Sequence, residues 1–246
     1  MKRKKILCFG DSNTYGVIPE KEASPYPSDR YDENTRWPCV MQKTLGIDQW
    51  DIIEEGLGGR TTMYKVPGED YRLSDAYLLP CLLSHRPLDY VVLMVGINDI
   101  QPKMHPDGFD HYDMKDGIKK LIHIIKGAPE TGAGYVPPKI LLVCPTFMKE
   151  TPYRRDVFDK YGREAGIAWS QKFPAEYHEV AEAEHIAFLD GNDYAEASIF
   201  DGIHLTPDSH VRLGRAIAGK IRSMEAAEAA APQDSQKASL KQDIEM

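Results

Sequence analysis

Five short aliphatic runs, each followed by a turn and then a helical stretch, confine this 246-residue chain to one broad class of fold. The runs are KKILCFG (4–10), WDIIEEG (50–56), DYVVLMVG (89–96), KILLVCP (139–145) and IAFLDG (186–191). Their apolar residues are contiguous rather than alternating, which is the pattern of strands covered on both faces. The stretches 37–45, 73–84, 114–125 and 207–231, and part of 159–184, read as helices. Strands alternating with helices build βαβ units, which join as a parallel sheet with right-handed crossovers. The expectation is one α/β domain over residues 1–231, in three α/β/α layers around a five-stranded parallel sheet. No internal repeat and no second core interrupt it. Residues 18–36 and 127–138 read as irregular connectors. The segment PQDSQKASLKQDIEM (232–246) is polar, has few apolar anchors, and is expected to be a mobile tail.

Charge narrows the partners. A formal net charge of −8 argues against nucleic acid or an acidic membrane surface. Basic residues cluster at Lys2–Lys5, but the apolar run behind them is too short for a signal-peptide core, and no stretch reaches membrane-spanning length. A cytoplasmic protein is expected. The four cysteines, Cys8, Cys39, Cys81 and Cys144, form no Cys-x-x-Cys pair, so neither a thiolate zinc cluster nor a redox motif is expected.

In an open parallel sheet, ligands bind beyond the carboxyl ends of the strands. The residues found there are GDSNTYG with Ser12, EEGLGGRTT with Gly58 and Gly59, GINDI with Asn98 and Asp99, PTFM, and DGIHLTPDSH with Asp201 and His204. Together they hold the parts that acyl transfer needs. Ser12 is a weak nucleophile until a base takes its proton, and His204 can be that base. Asp201, three residues earlier, can hold one ring nitrogen and fix the tautomer. The Ser12 and Gly59 backbone N–H groups and the Asn98 amide can face a developing oxyanion. Each piece alone is ordinary: Gly-Asp-Ser and Gly-x-Asn-Asp are common turns, and Asp-x-x-His is a common cap or surface pair. Their shared placement just after strand ends is what sets them apart.

The blocks GDSN (10–13), GLGGRTT (56–62), GIND (96–99) and DGIH (201–204) together resemble the four signatures of the SGNH, or GDSL-type, hydrolases, over nearly all of residues 5–220. Within that superfamily the chain is most similar to the bacterial arylesterase and acyltransferase branch. The resemblance implies a flavodoxin-like sheet and metal-free acyl chemistry without a cofactor. It also implies Ser12 as nucleophile, Gly59 and Asn98 as oxyanion donors, His204 as base and Asp201 as its orienter. Asn13 stands where the family name has leucine, at a position that varies in the family. The branch also implies a homo-oligomer. Neighbouring apolar residues Tyr15, Val17, Leu57, Ile100, Phe147 and Ile203 are expected to line a small hydrophobic acyl site.

Other chemistries fit less well. The Gly-x-Ser-x-Gly elbow, the Gly-x-x-x-x-Gly-Lys phosphate loop and the Gly-x-Gly-x-x-Gly spacing are all missing. His178, Glu182 and His185 would share a helix face and could bind zinc, but read more simply as a solvated face. HPDGFDHYD (105–113) lacks the final glutamate of a calcium loop and reads as a surface loop with Asp113 capping the next helix. MEAAEAAA (224–231) reads as a helix terminus. The runner-up enzyme is a carbohydrate deacetylase of the acetylxylan type. A small-ligand-binding protein on the same fold would be expected to have lost at least one of the five site residues.

Overall fold

The computed structural model describes residues 2–19 and 30–230. The predicted tail 232–246 and residues 20–29 of the first connector lie outside the described residues. In chain order the main elements are β1 (Lys4–Gly10), α1 (Ser12–Tyr15), α2 (Trp37–Leu45), β2 (Trp50–Gly56), α3 (Ser74–His85), β3 (Tyr90–Met94) and α4 (His111–Lys126). They continue with β4 (Lys139–Cys144), α5 (Arg155–Lys160), α6 (Glu164–Ser170), α7 (Phe173–Ala183), β5 (Ala187–Asp190) and α8 (Pro207–Ala230). All four strand pairings are parallel, in the order β2-β1-β3-β4-β5. That is the flavodoxin-like order, with its topological switch beside β1.

Alternate residues of the strands point to opposite faces, so each aliphatic run serves two cores. Leu7, Phe9, Val91, Leu93 and Leu142 pack with Leu78, Ile118, Leu121 and Tyr177 of α3, α4 and α7. Ile6, Cys8, Val92, Leu141 and Val143 pack with Trp37, Met41, Leu213 and Ile217 of α2 and α8. Each fully buried Leu or Ile contributes about 1.5–3 kcal/mol by leaving water. The expected three-layer α/β/α domain is the one observed.

Two details differ from the sequence-based expectation. β2 is an edge strand and only partly buried. Its Glu54 and Glu55 put charges on the edge, a device that discourages edge-to-edge pairing. Glu54 accepts hydrogen bonds from Arg30 and Arg36 at 2.9–3.0 Å. The region 159–184 holds separate helices rather than one, because Gly162 and Arg163 both take left-handed backbone angles, φ +80° and +58°, and stop α5.

His210 on α8 ties that helix to the start of α2. Its Nδ1 accepts the Trp37 backbone N–H at 3.4 Å, and burial, with His204 and Arg36 nearby, lowers its pKa to about 3. In the unfolded chain an imidazole titrates near ~6.5. Between these values the unfolded state binds a proton that the folded state refuses, so stability is present above ~6.5 and is lost as pH falls toward 3. Denaturant unfolding across this range should show that loss, and His210→Gln, which cannot titrate, should flatten it.

Candidate active site

β1 must stop at Gly10 for geometric reasons. A Cβ there would sit 2.1 Å from Thr14 Oγ1 and 2.4 Å from the Met94 carbonyl oxygen, so the turn closes tightly against β3. Asp11 then caps the four-residue α1, accepting the Asn13 backbone N–H at 2.9 Å. Burial pushes the Asp11 carboxyl up to about 6, against the pull of that bond and of the His204 and Arg60 charges. Ser12 follows as the first residue of α1, nearly buried.

The loop after β2 reaches the same place from the side. Gly59 has φ +72°, a backbone angle that strains any residue with a side chain, and a Cβ on it would lie 2.7–2.9 Å from the Arg72 guanidinium and displace it. Arg72 Nε donates to the Gly59 carbonyl at 2.5 Å. Further along, Thr62 donates from its backbone N–H (2.9 Å) and hydroxyl (2.7 Å) to the two oxygens of Asp99. Asp99 is buried, which pushes its pKa up to about 7 despite those two bonds. It clamps the β2 loop to the turn after β3.

That turn, Ile97–Ile100, presents Asn98. Its Oδ1 accepts from the Tyr161 hydroxyl at 2.6 Å and from Gln101 Nε2 at 3.2 Å, while Nδ2 donates to the Arg60 carbonyl at 3.1 Å. With both donors on the oxygen, the amide can take one orientation only. Asn98 can therefore offer N–H, and not C=O, to a ligand in the cavity that it lines.

The last component comes from the loop before α8. Asp201 Oδ2 lies 2.6 Å from His204 Nδ1, and Oδ1 accepts the backbone N–H groups of Ile203 and His204 at 3.0 Å. A carboxylate accepts, so Nδ1 carries the proton and Nε2 keeps its lone pair. Burial raises the Asp201 pKa, but the His204 bond and charge and the backbone donors outweigh it, and the net direction is down. Asn13 joins this loop to the Ser12 turn: its Oδ1 accepts Leu205 N–H at 2.9 Å and its Nδ2 donates to the Ile203 carbonyl at 3.3 Å.

Ser12, Gly59, Asn98 and His204 open onto one cavity of about 220 Å³, with Asp201 behind the imidazole. Of the six apolar residues expected to line it, Val17 and Ile203 do. Ile100 instead points into the core between the sheet and its helices. Tyr15 lies under the Arg30 guanidinium, 4.5 Å from ring centre to Cζ. Leu57 lines a neighbouring cavity. Phe147 is partly exposed, and its N–H donates to Asn192 Oδ1 at 2.7 Å. The walls that sequence reasoning missed are Glu69, Tyr71 and Arg72 before α3, and Val157, Lys160 and Tyr161 in and after α5. The lining is thus more polar than an all-apolar acyl site.

Two smaller expectations also change. α7 ends at Ala183 and His185 has φ +50°, so His185 is not on a helix face with His178 and Glu182. In the 105–113 loop, His105 is buried, its Nε2 2.7 Å from the Asp99 carbonyl oxygen. Asp110 is the cap of α4, with Asp113 reaching back to its N–H.

A model of the GDSL-like lipase/acylhydrolase family matches residues 8–212. No curated protein matches the chain. Among solved structures, Est24, a carbohydrate acetylesterase from Sinorhizobium meliloti, is 35% identical with a TM-score of 0.82, over 90% of this chain and 100% of that one. The native aryl esterase of M. smegmatis is 32% identical with a TM-score of 0.80, over 89% of this chain and 99% of that one. A carbohydrate acetylesterase family member from Sinorhizobium meliloti is 31% identical with a TM-score of 0.80, over 90% and 98%.

Proposed function

Since the chain belongs to the GDSL-like lipase/acylhydrolase family and is an esterase, we propose that it forms an acyl-enzyme at Ser12 from esters of small acyl groups. The observation that carries this reading is the convergence of Ser12, Gly59, Asn98 and the Asp201-held His204 on one cavity. His204 Nε2 takes the Ser12 proton as Oγ attacks the carbonyl carbon. The carbonyl oxygen gains negative charge and is met by the Ser12 and Gly59 N–H groups and Asn98 Nδ2. The imidazolium, stabilised by Asp201, returns the proton to the departing alcohol. Water, or a second alcohol in the transferase variant of the reaction, then attacks the acyl-enzyme along the same route.

The charged and hydroxyl-bearing rim favours an alcohol rich in hydroxyl groups. Glu69, Arg72, Lys160, Tyr71 and Tyr161 can each hydrogen-bond such a group, and Tyr71 is largely exposed beside the cavity. A short acyl chain, acetyl above all, suits about 220 Å³ of space. The test is a panel of nitrophenyl esters of rising chain length run beside acetylated xylan. The reading expects turnover to fall steeply beyond the shortest chains and acetate to be released from the polysaccharide. Preference for long chains, with no release from the polysaccharide, would overturn the small-acyl, carbohydrate-directed reading.

Asn98 supplies a second test. As an oxyanion donor, its loss in Asn98→Ala should reduce kcat by about 10²–10³-fold with little change in KM. As a turn residue alone, it should cost roughly 0.5–2 kcal/mol of stability, like a lost cap, and leave kcat unchanged. Tyr161→Phe, which removes one of the three bonds holding the amide, should lower kcat less. Steady-state kinetics beside melting curves separate these outcomes.

A further inference from the structure

On the other side of the β2 loop's root, α3 turns two different donors toward the sheet edge. Cys81 and His85 are one turn apart and share a face of α3. β2 brings Glu55 against them, with His85 Nε2 2.9 Å from Glu55 Oε1. The Cys81 sulfur, a His85 ring nitrogen and a Glu55 oxygen all lie within 4.8 Å of one another, and no other such trio is found among the described residues. We propose that Glu55, Cys81 and His85 bind a zinc-class divalent transition metal at a site separate from the esterase reaction.

The donor chemistry suits that class. Sulfur, imidazole and carboxylate are the three zinc ligand types, at about 2.3, 2.0–2.1 and 2.0–2.2 Å, so tetrahedral donors stand roughly 3.4–3.6 Å apart. Closing the trio on a metal therefore asks for shifts of an ångström or so. Glu55 and His85 keep 20% and 32% of their side-chain surface, which gives the ion a way in, while Cys81 is buried behind them. Glu55 and Tyr77 also line an open cavity of about 450 Å³ on that side. The Tyr77 hydroxyl donates to Glu55 Oε2 at 3.2 Å, the kind of outer partner that orients a carboxylate ligand. Arg60 is the opposing charge. Its guanidinium lies over the rings of Phe9 (4.1 Å) and Tyr77 (5.4 Å) and donates to the Glu55 carbonyl at 2.6 Å. A thiolate and a carboxylate outweigh that one cation.

Without a metal the Cys81 thiol keeps its proton, because burial, with the Glu55 charge, pushes it up to about 12. On binding, the S–H bond breaks, sulfur bonds to the metal, and the proton leaves to solvent. His85 binds through Nε2, so the ring proton that faces Glu55 in the metal-free chain passes from Nε2 to Nδ1. One proton is released per ion bound.

The experiment uses the full chain after treatment with a chelator. Zn²⁺ is titrated calorimetrically in two buffers of different ionisation enthalpy, and Co²⁺ is followed by absorbance. The proposal expects one ion per chain, one proton released, and a thiolate-to-cobalt charge-transfer band that Cys81→Ser removes. His85→Ala should weaken Zn²⁺ binding by no less than the roughly 10–100-fold that loss of an outer partner costs. Part-exposed His85 gives a variant that reports even if Cys81→Ser does not fold. No stoichiometric binding, a cobalt spectrum without the thiolate band, or unchanged affinity in His85→Ala would each overturn the site.

Discussion

Replacing Ser12 with alanine should lower kcat by about 10⁶-fold, the scale seen when a serine nucleophile is removed from an acyl-transfer enzyme, while the melting curve stays close to that of the parent. The chemical half follows from the covalent route, which has no nucleophile once Oγ is gone. The structural half follows from the local bonding. The turn is held by Asp11 capping Asn13 and by Asn13 clasping residues 203–205, and neither contact uses the Ser12 hydroxyl. A serine-directed phosphonate should label Ser12 in the parent and leave the variant unlabelled. Residual turnover near the parent's level, or labelling at another serine, would remove Ser12 from the mechanism.

Asp201→Asn should be the next most damaging change, at about 10⁴-fold in kcat. The geometry gives the reason. Asp201 Oδ1 accepts the N–H groups of Ile203 and His204, so the asparagine carbonyl is drawn to that side. Its NH₂ then faces His204 Nδ1, where the carboxylate had accepted at 2.6 Å. A donor there requires a bare Nδ1, the ring proton moves to Nε2, and Nε2 can no longer take the Ser12 proton. The fold should survive, since the backbone bonds remain. The parent's pH profile belongs to the same prediction. Asp201 is held below the ordinary carboxylate range and stays ionised through neutrality, so the acid-side loss of turnover reports protonation of the imidazole. Activity should therefore be full above that ionisation and fall as pH decreases through it. An Asp201→Asn enzyme with near-normal kcat would count against the orienting role.

The strands were legible because a strand covered on both faces writes a contiguous apolar run, and every run matched a strand to within two residues at either end. The site segments were legible for a related reason: they follow those runs at the end of the sheet where ligands bind. The cavity walls were not. Ile100 is two residues from Asn98, yet the tight Ile97–Ile100 turn directs its side chain into the core. Nearness in sequence fixes the path of the backbone and not the direction of a side chain. Tyr161, which holds the Asn98 amide, arrives from beyond β4, at the end of a short helix stopped by Gly162 and Arg163; the glycine marks the helix end, and nothing in the sequence tells that the tyrosine before it reaches the Asn98 turn. Glu54 and Glu55 did carry a readable signal, since adjacent carboxylates in a short run suit a sheet edge better than its middle. The Cys81–His85–Glu55 cluster combines a one-turn helix spacing with a donor from a strand about 25 residues upstream, so cysteine spacing alone is silent about it.

The clasp between Asn13 and residues 203–205 spans 192 positions of the chain. During synthesis the first strand and the serine turn leave the ribosome long before the imidazole does, and domains take shape as their segments emerge. On the proposed mechanism, until the 198–205 segment is made and α8 docks on α2, the serine has no base and Asn13 has no partner loop. A nascent or truncated chain thus carries a silent hydroxyl, and ester chemistry begins only when the two ends of the domain have met.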